Sequence, residues 1–292
     1  MILTEGANPK SKNIDIMSAA EIVDLINGED KKVATAIAKV KPAIARAIDK
    51  IVAGMQKGGR MAYFGAGTSG RLGVLDASEM PPTFGADPTL IQGFIAGGNR
   101  ALRHAVEHAE DNAELAKKDI KAFAPTPYDT VVGLSVSGMP AYVCTALAQA
   151  RKKGALTVAI SCNPAAKIKE FADIFINPLV GPEVLTGSSR MKAGTAQKMI
   201  LNMLSTGTMI RLGKTYHNYM IDMHVTNAKL KARAIRMIRE ITGVSEDEAK
   251  KALSAAENNV KVACVMAKTK CTVQVAQKKL EKNHQFLRKV IK

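Results

Sequence analysis

At 292 residues and 47% hydrophobic the chain has ample material for a buried core, and 42 Lys+Arg against 26 Asp+Glu give it a formal charge of +16. No apolar run approaches the roughly 18 to 20 residues of a membrane span, and the opening MILTEGANPKSKNID lacks the basic and apolar regions of a signal peptide, so a soluble cytoplasmic protein with no membrane partner is expected. Basic residues are spread along the chain and aromatics make up only 4%, which argues against specific nucleic-acid binding; an anionic small substrate, or a solvated surface, explains the charge more simply. Residues 1–57 read as a polar lead-in followed by helices. Ser18 to Glu21 is a capping-box pattern before Ile22, Val23, Leu25 and Ile26, with Gly28 ending the helix. A second helix over 30–57 carries Val33, Ile37, Val40, Ile44, Ile48, Ile51 and Met55 at threes and fours, with a kink or break expected near Pro42.

From Gly59 short apolar runs at 61–64, 90–96, 130–136, 156–161 and 174–178 alternate with stretches long enough to be crossover helices. That alternation predicts a parallel sheet with helices on both faces, in which ligands bind beyond the C-terminal strand ends. Three glycine- and hydroxyl-rich turns stand before helices. The first is Gly65-Ala66-Gly67-Thr68-Ser69-Gly70, the second Ser135-Val136-Ser137-Gly138, and the third Gly187-Ser188-Ser189-Arg190 ahead of a helix over 191–212. Glycine lets backbone approach a ligand and the first N–H groups of a helix attract anions. Each turn has a structural reading as an N-cap or tight turn; three in a fold that gathers its loops at one edge point to an anionic ligand. Residues 243–292 fit three short helices, at 245–256, 260–267 and from 272 onward, the first with Ser245 and Glu248 as a capping box.

Two carboxylates stand out. Glu79 precedes Met80-Pro81-Pro82 and is expected at or near the C-terminus of the helix that begins at the first turn. There the negative end of the dipole and an apolar flank favour the protonated form, which suits a general acid; a solvated last-turn residue is the plain alternative. Residues 99–111 read as a second helix with Leu102, Ala105, Val106, Ala109 and Ala113 on one stripe and Glu110 at its edge. His104 and His108 have the spacing of a metal pair without a third ligand, so no metal is expected, and His217 and His224 could share a helix face. Cys144, Cys162, Cys264 and Cys271 form no CxxC pair and read as plain buried thiols.

The runs GAGTSGRLGVLDASEMPPTFG (65–85), IAGG and AVEHAED (95–98 and 105–111), GPEVLTGSSRMKAGTAQKMILNMLST (181–206) and RLGKTYHNYMIDM (211–223) closely resemble N-acetylmuramic acid 6-phosphate etherases of the sugar isomerase (SIS) fold. The resemblance runs from the TEGANPKSKNID lead-in to the C-terminal helices. It implies an SIS-type α/β sheet at 58–240, an N-terminal helical segment at 1–57 and a small helical bundle at 241–292. It implies cleavage of the D-lactyl ether of N-acetylmuramic acid 6-phosphate by elimination and hydration in peptidoglycan recycling, without metal or organic cofactor. By the motif match Glu79 is the proton donor and Glu110 the base. The phosphate would be held by Gly67, Thr68, Ser69 and Gly70 with Ser135, Ser137 and Gly138, and Ser188 and Ser189 join the binding set. The family implies a homodimer with shared sites.

One departure bears on the substrate. Where the etherases usually read SGRTPYV, this chain reads Ser137-Gly138-Met139-Pro140-Ala141-Tyr142-Val143, so an arginine and a threonine hydroxyl are missing beside the phosphate loop; Arg71 or Lys192 could substitute. A noncatalytic sugar-phosphate sensor, which the architecture of the glucokinase regulatory protein resembles, and an aldose-ketose phosphate isomerase are the competing readings. The first helix is thus expected to serve both ends of one task, holding phosphate at Gly67 to Gly70 and presenting Glu79 to the ether oxygen.

Overall fold

The structure, a computed structural model, describes residues 5–291. Part of the MILTEGANPKSKNID reading and the last residue of the C-terminal segment lie outside the described residues. Five parallel strands form one sheet: β1 (Met61–Gly65), β2 (Ile91–Ile95), β3 (Thr130–Leu134), β4 (Leu156–Ile160) and β5 (Ile174–Ile176), in the order β2-β1-β3-β4-β5. Every residue of β1 and β3 is buried, as continuous apolar strands covered on both faces require. The sheet is the parallel α/β arrangement the alternation predicts. Among the described residues no helix is long and apolar enough to cross a membrane.

The helices are α1 (Ala19–Met55), α2 (Gly67–Ser78), α3 (Met80–Phe84), α4 (Gly98–Ala101), α5 (Ala113–Phe123), α6 (Ala141–Lys152), α7 (Lys192–Arg211), α8 (Ala228–Thr242), α9 (Glu246–Ala255), α10 (Val260–Thr269), α11 (Val273–Lys282) and α12 (Leu287–Val290). Both predicted capping boxes form, at Ser18 with Glu21 and at Ser245 with Glu248. The expected break near Pro42 does not occur, and Gly28 ends nothing: α1 runs unbroken through both. Gly28 costs about 1 kcal/mol and an interior proline about 3. Val33, Ala36, Ile37, Ile44, Ala47 and Ile51 are all buried along one stripe, the valine and isoleucines each worth roughly 1.5 to 3 kcal/mol, so packing overrides both breakers.

By internal contacts the chain divides into two compact units, one made of the chain up to Ser78 with Thr89–Ser205, the other of Glu79–Pro88 with the chain from Thr206. The first contains the sheet. Its core on one sheet face joins Phe64, Phe123, Val131, Tyr142 and Leu147, with the Phe64 and Phe94 rings stacked 4.7 Å apart. The second has its own core of Ile221, Met237, Ile238, Leu253, Val260 and Cys264. Within it Gly85 ends α3 at φ +56°, and a Cβ there would collide with the Asp222 carbonyl.

Candidate functional site

The chain goes from β1 to β2 on one side and then returns to β3 on the other, so the strand order reverses at β1 and β3. In a parallel sheet the crevice beyond such a reversal is the ligand-binding edge. Gly65 pairs with Leu134 across the two strands, so the first and second glycine-rich turns leave the sheet side by side, about 4.8 Å apart. Gly65 and Gly70 touch so closely that a Cβ on either would meet the other's backbone at 2.6 to 2.7 Å. Gly67 has φ +52° with open space where a Cβ would point. The third turn adjoins the first: a Cβ on Gly194 would lie 3.6 Å from Thr68 Cγ2 and 3.5 Å from the Ser189 carbonyl, and Ser69 Oγ donates to Gln197 Oε1 of α7 at 2.8 Å. The predicted residues Gly67 to Gly70, Ser135 to Gly138, and Ser188 with Ser189 therefore gather at one edge.

Their helix starts differ in what remains unsatisfied. In α2 the N–H of Gly70 bonds to the Ala66 carbonyl at 3.2 Å, while those of Gly67, Thr68 and Ser69 find no acceptor among the described residues. In the second turn, Ser135 Oγ accepts from Gly138 N–H at 2.9 Å and Ser137 Oγ from Met139 N–H at 3.3 Å, which braces the loop; Gly138 sits at φ +71°, where a side chain would strike Ala166. At α7 every early donor is taken. The buried carboxylate of Glu183 accepts from the N–H groups of Lys192 (3.1 Å) and Ala193 (2.9 Å), and Gly194 N–H bonds to the Ser189 carbonyl. Burial pushes the Glu183 carboxyl up, against the pull of those two N–H groups. Among the three turns, α2 alone offers a full set of free backbone donors to an anion.

Lys192 is no substitute for the missing arginine. It is buried, its Nζ bonded to Glu29 Oε2 at 2.6 Å and the Pro182 carbonyl at 2.7 Å. Burial raises Glu29, but hydrogen bonds from Lys192 and Lys32 outweigh it and hold the carboxyl at about 2. Arg71 donates its Nε to the Leu102 carbonyl at 3.1 Å.

Glu79 follows α2 directly and is exposed; its carbonyl accepts from Thr83 N–H at 3.2 Å, opening α3, whose first turn tolerates Pro81 and Pro82. The prolines thus start a short helix rather than only closing one. Asp76, three residues before Glu79 in the DASE run, is buried and accepts hydroxyls from Tyr63 at 2.8 Å and Ser205 at 3.0 Å, anchoring the last turn of α2. Twelve helical residues rise about 18 Å. Five bonds, less than about 8 Å, separate phosphorus from C3 in a hexose 6-phosphate. The start and the end of α2 are thus farther apart than the phosphorus and C3 of one sugar.

The predicted helix at 99–111 is not formed. Only α4 is helical there, followed by turns in which His108 has φ 60°, until Asn112 caps α5. The repeated short residues carried the right period without a stable nucleus, and the Ala-rich stripe offers little apolar area to bury. Glu110 is exposed in this segment, and its carbonyl accepts from Tyr142 N–H at 3.0 Å, which ties it to the first turn of α6 beside the Ser135 to Gly138 loop. His104 and His108 do not share a helix face, nor do His217 and His224, which lie in the irregular segment before α8. Among the described residues no cluster of His, Cys, Asp or Glu could hold a metal. Cys144, Cys162 and Cys264 are buried and Cys271 partly so, with burial lifting the Cys162 and Cys264 thiols to about 12.

Two cavities lie elsewhere. One of about 420 Å³ sits at the C-terminal ends of α5 and α6, away from the loops. The other, about 490 Å³ in the second unit, is lined by Lys214, Asp222, His224, Asn259 and Lys261. Lys261 is buried and bonded to Asp222 at 2.7 Å; burial lowers its pKa although Asp222 opposes this.

The profile of the glucokinase regulatory protein N-terminal SIS domain matches residues 43–151, that of the SIS domain 104–207, and that of the C-terminal lid domain of glucokinase regulatory protein 217–257. The N-acetylmuramic acid 6-phosphate etherase of Glaesserella parasuis is 55% identical over 91% of this chain and 87% of its own length. That of Caldanaerobacter subterraneus subsp. tengcongensis is 49% identical over 100% and 95%. Among solved structures, a candidate phosphosugar isomerase involved in capsule formation from Bacteroides fragilis superposes with TM-score 0.53 at 20% identity, covering 70% of this chain and 98% of that one. At that identity the likeness concerns the fold.

Proposed function

The chain belongs to the N-acetylmuramic acid 6-phosphate etherase family, and from that premise we propose that it is a carbon–oxygen lyase acting on N-acetylmuramic acid 6-phosphate. It cleaves the D-lactyl ether at C3, releasing D-lactate and leaving N-acetylglucosamine 6-phosphate. The observation that carries this reading is the open start of α2 at the strand-order reversal, which supports a phosphate there, with Glu110 held beside the neighbouring loop. In the open-chain sugar the C1 aldehyde acidifies the C2 proton. Glu110 takes that proton, the electron pair forms the C2–C3 double bond, the C3–oxygen bond breaks, and Glu79 protonates the departing lactate oxygen. Water then adds at C3 with the two carboxyl groups in exchanged roles.

The length of α2 supports a shared site. Phosphate and base come from one copy of the chain, and the acid at that sugar is the Glu79 of a second copy, so the active form is a homodimer. A cytoplasmic role in peptidoglycan recycling follows from the substrate. The matches to glucokinase regulatory protein profiles favour, as a second reading, a sugar-phosphate sensor without chemistry.

One experiment separates them. Purified protein is incubated with N-acetylmuramic acid 6-phosphate in oxygen-18 water, and D-lactate and label at C3 are measured; folded protein that binds the sugar phosphate but releases no lactate is a sensor. Replacing either carboxylate, Glu110→Gln or Glu79→Gln, is expected to slow turnover by about 10²- to 10⁴-fold. Glu110→Gln abolishes deuterium exchange at C2, whereas Glu79→Gln blocks lactate release more than exchange. Mixing the two inactive variants restores part of the activity if the site is shared between copies.

A further inference from the structure

Gln197, in the second turn of α7, is fully buried and receives the Ser69 hydroxyl on its Oε1 at 2.8 Å. The other end of that amide is unsatisfied: Gln197 Nε2 is a buried donor with no partner among the described residues. An unmet buried donor is destabilising, and orphaned N–H groups are rarer in folded proteins than under-satisfied carbonyls. In this arrangement the one proton of Ser69 is committed to Gln197, so its oxygen could meet an anion only as an acceptor, which repels it. A half-turn of the amide exchanges two groups of equal size. Nε2 then donates to Ser69 Oγ, the serine proton turns toward the space served by the free N–H groups of Gly67, Thr68 and Ser69, and the unmet group becomes a carbonyl.

We propose that Gln197 is a positioning residue for the sugar phosphate: by donating to Ser69 Oγ it fixes the serine hydroxyl as a donor to the phosphate. The proposal rests on the reading of the α2 start as the phosphate site. It makes the amide, rather than its oxygen alone, the functional requirement at position 197.

The test compares Gln197→Glu with Gln197→Met, using calorimetric binding of N-acetylglucosamine 6-phosphate, with unfolding midpoints measured alongside. If Gln197 only docks α2 on α7 through its acceptor oxygen, Glu preserves binding and Met loses it. The donor role reverses that order. A carboxylate can only accept and keeps the Ser69 proton from the phosphate, so Gln197→Glu weakens binding about tenfold to a hundredfold. In Gln197→Met the hydroxyl can still turn outward, and the loss is a few-fold. In a Ser69→Ala background Gln197→Glu has no further effect. Loss in Met alone, or equal loss in both, overturns the proposal. A Ser69→Ala variant that binds as tightly as the wild type removes the phosphate reading beneath it, which is a separate failure because Ser69 itself is then silent. Should Gln197→Glu fail to fold, ¹⁵N-labelled wild-type protein decides: the Gln197 side-chain NH₂ resonances, identified by their loss in Gln197→Met, shift on adding the sugar phosphate, and resonances that stay in place overturn the proposal.

Discussion

The starts of α2 and α7 look alike in sequence, glycine and hydroxyl residues running into a helix, yet they have opposite electrostatic roles. At α2 the N–H groups of Gly67, Thr68 and Ser69 find no acceptor among the described residues. At α7 the chain supplies its own anion, Glu183, and places the Lys192–Glu29 ion pair against the same turn. The positive end of a helix can be spent inside the protein or left for a ligand. The difference lies in one carboxylate: Glu183, 9 and 10 positions before Lys192 and Ala193, folds back onto their N–H groups.

The comparison is broken most strongly at Lys192. Lys192→Met leaves the buried Glu29 carboxylate with the half-exposed Lys32 as its remaining close partner, and is expected to cost about 3 kcal/mol by urea unfolding; Glu29→Gln in the same chain returns part of this. A loss below about 1 kcal/mol would mean that the pair is not structural. Next, Glu183→Gln removes the capping charge and is expected to cost about 1 to 3 kcal/mol while leaving sugar-phosphate affinity unchanged. A large rise in KM would show that the α7 start does face substrate. Thr68→Val gives the mirror image at α2: affinity falls by about 1 kcal/mol, with stability within about 0.5 kcal/mol of the wild type. Equal stability losses at the two helix starts would erase the distinction.

The smallest effect is on pH dependence, where the two carboxylates act with opposite sign. Glu29 is held at about 2, below its usual 4.5, so its contribution is fully present above about pH 4.5 and is lost as pH falls toward 2. Glu183 is raised, so the native state holds a proton that the unfolded chain has released, and stability declines as pH rises from 4.5 through its folded value. Unfolding curves across pH 2 to 7 should lose the first slope in Glu29→Gln and the second in Glu183→Gln. Unchanged curves in both variants would remove the assignment.

Much of the fold is legible in the residues. Short apolar runs without polar alternation describe strands buried on both faces, and Ser18 and Ser245 cap their helices through contacts three residues away. The failures share a cause. Gly28 and Pro42 are local penalties that a buried stripe outweighs, whereas the stripe at 99–111 is too small to outweigh anything. Gln197, Asp76 and Glu183 escaped notice because a buried polar residue inside an apolar pattern has no period of its own. Gln197 had one signal, a long polar side chain between Ala196 and Ile200 on the buried side of α7.

By itself the sequence determined the strand–helix alternation, the cap chemistry and the two carboxylates in their motifs, because each depends on neighbours within a few residues. Only the tertiary structure decided which glycine-rich helix start remains open. Satisfying a backbone N–H depends on where the folded chain brings an acceptor, as Glu183 is brought to the start of α7 and none is brought to that of α2.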